Sequence, residues 1–190
     1  MKIGEQYKKS WETLKKTKNY IWFVVVLFFL VAIIGFISPV FFVEEIKVLL
    51  EKLVLEFEGL GVFATIWKIF FNNFKAGFFS MVAGVFLGLF PLGAAIMNGY
   101  VIGFVAHYSV AKKGVFVLWR ILPHGIFELP AILVSMGLGV WLGVSILKRG
   151  ASWSGFKKRF IDALRVFVFV VLPLLVVAGV IEGVLVAVVG

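Results

Sequence analysis
Residues 76–111, AGFFSMVAGVFLGLFPLGAAIMNGYVIGFVAHYSVA, contain no Asp, Glu, Lys or Arg. One helix of 36 residues would be roughly 54 Å long, well beyond the ~30 Å hydrocarbon core of a bilayer, so the run has to fold back on itself. Pro91-Leu92-Gly93 is the expected break, because proline disfavours helical geometry in the residue before it. The run reads as two membrane helices, residues 74–90 and 92–111, joined by a tight hairpin.

The flanking sequence extends this reading. The chain has 190 residues, 62% of them hydrophobic, with a mean hydropathy of +1.09. A soluble domain of this size cannot hide so much apolar surface. Further apolar runs cover residues 20–37 (ending before Ser38-Pro39), 123–147 and 166–189. The expected fold is all-α: a single membrane domain of about five transmembrane helices, with the first run a retained anchor. With no cysteine, disulfides, thiolate metal sites and thiol catalysis are excluded.

The net charge of +9 is a record of orientation rather than a nucleic-acid signature. Residues 1–19 carry six lysines, and 148–165 carry six basic residues; the loops at 39–75 and 112–123 hold four and three. Five alternating spans put the first two segments on one side, a split of 12 against 7. The positive-inside rule then places the chain in the plasma membrane with a cytoplasmic N-terminus and an outside C-terminus.

The extramembrane pieces are helical too. Ile46, Leu49, Leu50, Leu53 and Phe57 form one face of an amphipathic helix that ends near Gly59 and Gly61, with glutamates on the other face. Residues 62–74 read as a second helix, so that 44–74 form an outer hairpin. Ile3, Tyr7, Trp11 and Leu14 make an interfacial stripe on a basic helix over residues 1–19, and Trp153, Phe156, Phe160 and Leu164 make another before the last span. Three pairs of small residues four apart, Gly84/Gly88, Gly99/Gly103 and Gly139/Gly143, allow helix backbones to approach closely, within one chain or across a dimer.

Polar residues inside the apolar runs are costly and need a partner or a function. They are His107, His124, Glu128 and Glu182, with Asn98 as a neutral companion and Asn72 and Asn73 just before the second span. The five-span topology puts all of them except Asn98 in one outer layer. Asn98 lies nearer the cytoplasm and projects about 180° from His107, so those two cannot line one site. On the fourth span His124, Glu128, Ser135 and Gly139 share a face, and the helix either kinks or begins at Pro130. Three readings stay open for the cluster. It can be a hydrogen-bond network that fixes helix packing. It can be a divalent-metal site, such as zinc, with His124 and Glu128 at i, i+4 and His107 or Glu182 as a third ligand. Or it can be the proton-linked or solute site of a small transporter. Ser80, Ser135 and Ser145 lack a nucleophile-elbow context, so no catalytic residue is assigned.

Several of these segments together resemble the stage II sporulation protein M family of integral membrane proteins. His124-Gly125-Ile126-Phe127-Glu128-Leu129-Pro130-Ala131 is similar to the family's His-Gly-x-x-Glu-Leu-Pro-Ala signature, followed by a glycine-rich helix through Gly137, Gly139 and Gly143. Phe71-Asn72-Asn73, Asn98-Gly99 and Ile181-Glu182-Gly183 match in kind and order, and the resemblance covers about residues 60–190. In endospore formers the family's founding member works with two cell-wall-degrading partners and is viewed as a membrane scaffold. The family also occurs in archaea that lack such walls, so the sporulation role does not transfer. The resemblance implies a non-enzymatic scaffold or assembly factor, with Asn98, His124, Glu128 and Glu182 as signature positions without assigned chemistry; the expected assembly is a homo-oligomer, a dimer. Against it stand an intramembrane metal-dependent hydrolase and a small transporter.

Overall fold
Between Glu5 and Ile34 the chain has neither Gly nor Pro, and a single helix, α1 (Ile3–Ile37), runs through the basic segment into the first apolar run. The expected boundary at residue 19 does not exist. Thr13 and Thr17 carry the helix across it by bonding their hydroxyls back to Lys9 O (2.9 Å) and Thr13 O (3.0 Å). The structure, a computed structural model, describes residues 3–147 and 152–189; the side chains of 54, 119–124 and 182–189 are outside that description. All its regular elements are helical, which makes the protein an all-α helical bundle.

A short turn at Ser38–Phe42 leads into α2 (Val43–Phe57), whose first-turn Glu44 and Glu45 suit the positive end of the helix dipole. Gly59, at φ +74°, ends it as the sequence predicts. Next comes α3 (Val62–Val82), one helix across residues 62–74 and into the apolar run, again without the expected boundary. It stops eight residues short of the predicted end at 90. A 3₁₀ turn at Ala83–Val85 follows, then Leu87 (φ +58°) and Gly88 (φ +75°) reverse the chain. Gly88 is suited to that left-handed conformation. The turn closes on its own hydrogen bonds, Gly88 N to Gly84 O (2.8 Å) and Leu89 N to Phe86 O (3.1 Å), as a turn in an apolar layer must.

The break is therefore at 83–88 and not at Pro91-Leu92-Gly93. Pro91 sits in the first turn of α4 (Leu89–Lys113), where its missing N–H has no intrahelical partner to lose. α5 (Leu118–Leu147) contains Pro123 and Pro130 and continues through both, so it does not begin at Pro130. α6 (Trp153–Val166), capped by Ser152, passes through a π-turn at Phe167–Val171 into α7 (Leu172–Val189). At that junction Leu172 N–H bonds Phe167 O, five residues back. Pro173, which clashes with a regular i−4 carbonyl, accounts for this wider turn.

α5 is the central helix, touching α1, α3, α4, α6 and α7, while α3 and α4 scarcely touch each other and clasp it from two sides. Contacts fix the directions. Gly77 meets Ser135 and Gly84 meets Gly139, so α3 and α5 run parallel. Gly99 meets Phe28 and Gly103 meets Ala32, so α1 and α4 run parallel. Pro91 lies on Gly139 while Ala95 clusters with Leu133 and Met136, so α4 opposes α5. Phe167 lies by Gly77 and Gly179 by Phe70, so α7 opposes α3. α1, α4 and α7 thus point one way, α3 and α5 the other.

Among the described residues four helical stretches are long and apolar enough to cross a membrane: Ile3–Ile37, Leu89–Lys113, Gly125–Leu147 and Trp153–Ile181. α3, which carries Lys68, Asn72, Asn73 and Lys75, is not among them although it runs through the bundle.

Candidate functional site
Ser135 and Gly139 of the predicted α5 stripe both face α3. Ser135 is fully buried and its Oγ makes no hydrogen bond within the described residues; a Cβ on Gly77 would stand 3.2 Å from it. Glu128 lies two turns further toward the start of α5, half-buried, with Oε2 shielded from solvent. Asn73 is buried on the α3 face that also carries Gly77 and Ser80, whereas its neighbour Asn72 is exposed on the far side. The predicted asparagine pair is thus divided. The side chains of His124 and Glu182 are outside the described residues; Gly179, three residues before Glu182, packs against Ile66 and Phe70 near the start of α3.

His107 does not join this group. Its Nδ1 is 2.7 Å from the carbonyl oxygen of Phe36. A carbonyl only accepts, so Nδ1 carries the proton and donates. Phe36 O is one of the last four carbonyls of α1, which have no partner inside their own helix. The imidazole therefore caps the end of α1 across a helix interface, with Phe36 and Tyr108 at its edges. Among the described residues no three His, Asp or Glu side chains come together in a way that could hold a metal ion. Asn98 is exposed and bonds back to Ala94 O of its own helix (2.7 Å).

Two polar constellations escaped the sequence reading. Tyr100 is buried between Gly99 and Gly103; its hydroxyl donates to Ser38 O (3.1 Å) and accepts from Phe41 N (2.9 Å). With His107 it lets α4 hold both the end of α1 and the turn after it. A polar aromatic residue inside a glycine pair was the available signal. The second constellation joins α1 to α6. Gln6, Ser10, Thr13 and Thr17 are all buried, at helical spacing on one face. Arg165 Nε donates to Gln6 Oε1 (2.8 Å), its Nη1 pairs with Asp162, and Ser10 Oγ donates to Arg165 O (3.4 Å). The i, i+4, i+7, i+11 polar spacing was legible, but the apolar stripe beside it carried the stronger pattern.

The glycine pairs all serve contacts within the chain. A Cβ on Gly143 would lie 2.0 Å from Gly88 N, one on Gly84 2.1 Å from Gly139 O, and one on Gly103 2.0 Å from Ala32 O. Backbone rests on backbone at each.

The segments that carry the predicted signature all fall in one stretch of known type. The family model for stage II sporulation protein M matches residues 24–186. The chain belongs to the stage II sporulation protein M family. It is a membrane protein of that family, built as a multi-pass helical bundle. It is also similar to an uncharacterised protein of Methanocaldococcus jannaschii, 26% identical over 146 residues, which is 74% of this chain and 61% of that protein. The chain thus spans about three-fifths of the relative's length. No solved structure matches it. The family match covers α3, α4 and α5 whole and includes Asn72, Asn73, Asn98, His107, His124, Glu128 and Glu182.

Proposed function
We propose that this protein is a non-enzymatic membrane scaffold of the stage II sporulation protein M family, a rigid bundle on which other envelope proteins assemble. The observation that carries the reading is the use made of its polar side chains. His107, Tyr100, Gln6, Ser10 and Arg165 each join one helix to another or to the chain leaving it. A hydrogen-bonded, glycine-sealed bundle suits a part whose task is to hold a shape. In this reading α3 crosses with the others to make five spans, the N-terminus lies in the cytoplasm, and the basic end of α1 faces inward. Self-association as a dimer has to use surfaces other than the glycine pairs, which are filled from within the chain.

The test is affinity purification of the tagged chain from native membranes, with quantitative mass spectrometry. A scaffold should bring down defined envelope proteins in fixed stoichiometry, and His124→Ala and Glu128→Gln variants that still fold should retain them. Solute or proton flux in proteoliposomes, abolished by those two substitutions, would replace the scaffold with a transporter. Cysteine labelling at 112–113 from the outside and at 148–151 from the cytoplasm tests the orientation.

A further inference from the structure
α1 before residue 19 and α6 meet at one end of the bundle. Their inward faces are locked together by Gln6, Ser10 and Arg165, with Asp162 paired to Arg165 on α6 itself, which leaves their outward faces to be explained. Those faces are basic and aromatic. The described part of the two segments holds nine basic residues against three acidic ones, Glu5, Glu12 and Asp162. All five lysines of α1, Lys8, Lys9, Lys15, Lys16 and Lys18, are exposed, as are Lys157 and Lys158. None of the five is ion-paired within the described residues. Among them stand Tyr7 (49% exposed), Trp11 (60%) and Trp153 (78%). Lys15 Nζ lies 6.0 Å from the centre of the Trp11 ring, and Trp153 stacks on Phe156 at 5.8 Å.

Depth distinguishes this surface from an ordinary solvated one. α5 runs opposite to α1, with Gly137 against Ile21, so its apolar end, up to Leu147, lies beside the α1 residues that precede Ile21. Leu14 packs on the cluster that contains Leu138, Leu142, Val166 and Phe167. Lys15, Lys16 and Lys18 therefore start at the level of membrane-embedded helix ends and reach outward from there. A lysine so placed extends its ammonium to the headgroup layer, while Trp and Tyr rings prefer that same boundary.

We propose that the outward faces of α1 and α6 together form a platform for the phosphate headgroups of anionic phospholipids. The lysines supply the charge that attracts an anionic surface, and Trp11 and Trp153 set the depth. The two faces act as one platform because Arg165 ties them at a fixed spacing.

The test is the full chain reconstituted in nanodiscs with spin-labelled phosphatidylglycerol or phosphatidylcholine, reading the motionally restricted lipid fraction by electron paramagnetic resonance. The expected result is a several-fold preference for phosphatidylglycerol that falls as salt shortens the Debye length. The combined Lys8→Gln, Lys9→Gln, Lys15→Gln, Lys16→Gln, Lys157→Gln, Lys158→Gln variant should bring the preference close to one, and Lys112→Gln with Lys113→Gln at the other end of the bundle should leave it in place. Equal association of the two lipids in the wild type, or a preference lost only with Lys112 and Lys113, overturns the proposal. A reading independent of those lysine changes comes from tryptophan quenching with brominated lipid. Brominated phosphatidylglycerol should quench the wild type more than brominated phosphatidylcholine, and Trp11→Phe with Trp153→Phe should remove the difference. Quenching that does not distinguish the headgroups overturns the platform as well.

Discussion

The contact of α3 with α5 and the contact of α1 with α6 join helices by opposite means. At the first, Gly84 and Gly88, in the turn that follows α3, lie on Gly139 and Gly143, and the buried Ser135 hydroxyl faces Gly77 without a hydrogen bond among the described residues. At the second, Gln6, Ser10 and Arg165 bridge the helices through hydrogen bonds. Lipid gives helices no hydrophobic reason to associate, so a contact needs close packing or polar pairing. Close packing serves the contact inside the bundle, where the backbones approach through glycine. Polar pairing serves the one nearer the basic end, where water can hydrate the rim. The contact of α1 with α4 uses both, with Gly99 and Gly103 along its length and Tyr100 and His107 toward the end of α1.

The comparison predicts that the glycine contact fails abruptly and the polar ones by degrees. The largest effect is expected for Gly143→Val, because its Cβ would fall 2.0 Å from the Gly88 nitrogen and 2.4 Å from Gly84 O. Neither neighbour is a movable side chain, so a loss above about 3 kcal/mol is expected, enough to prevent folding of a marginally stable bundle. Gly93→Ala is the matched control, since nothing stands within 4 Å of its Cβ position. Unfolding in mixed micelles by titration with SDS reads both, and a Gly143→Val protein as stable as Gly93→Ala would mean that the helices are not in contact there.

Next in size is Arg165→Ala. It leaves Gln6, 5% exposed, without its donor and releases Asp162. An unsatisfied buried amide costs about 1–3 kcal/mol. Gln6→Leu in the Arg165→Ala background should recover part of the loss, because an apolar side chain has no partner to miss. Independent, additive losses would separate the two residues. Both variants can be compared by thermal unfolding in detergent.

How far each contact could be read from sequence follows the same division. Glycine pairs four residues apart are local patterns, and Gly84/Gly88, Gly99/Gly103 and Gly139/Gly143 announced helix packing without any knowledge of neighbours. The amphipathic spacing of Ile46, Leu49, Leu50, Leu53 and Phe57 gave α2 to within a residue or two for the same reason. Reading Pro91 as a breaker misplaces the turn before α4, because proline is equally at home in the first turn of a helix, and Gly88 marks the reversal. His107 was grouped by depth with Glu128. Depth fixes a level but not an azimuth, and which helix His107 faces depends on α1 lying beside α4, two elements far apart in the chain. The polar face of α1 is outweighed in the sequence by the interfacial stripe beside it. In a membrane the apolar Ile3, Tyr7 and Trp11 can face outward while Gln6 and Ser10 face in.

A smaller effect is expected where polar pairing holds only the end of a helix. Tyr100→Phe removes one donor and one acceptor at Ser38 and Phe41, and His107→Ala uncaps Phe36 O. Each should cost about 1 kcal/mol, with the loss confined to the turn after α1. Hydrogen exchange is the suitable measurement. Amides of residues 38–46 should exchange faster in either variant, while those of α5 keep their protection. Faster exchange throughout α5 would show that these side chains support the whole bundle rather than the end of α1.

The smallest effect belongs to α2, which reaches the bundle mainly through Ile46 against Tyr100 and Phe104. On its exposed face Lys47 Nζ lies 2.9 Å from Glu44 Oε1. The hydrogen bond and the charge of Glu44 hold the ammonium above its ordinary value. A group whose folded value is raised contributes stability only while it is protonated. Any contribution is therefore complete at neutral pH and below, and is lost as pH rises through the lysine titration. Both side chains are solvated, so screening leaves the pair little effect on folding. Glu44→Gln should lower the Lys47 titration midpoint, followed by NMR of the isotope-labelled lysine ε-methylene group, and leave thermal stability at neutral pH unchanged. A clear loss of stability at neutral pH in that variant would mean that α2 is docked through its charged face, and that polar pairing holds this contact too.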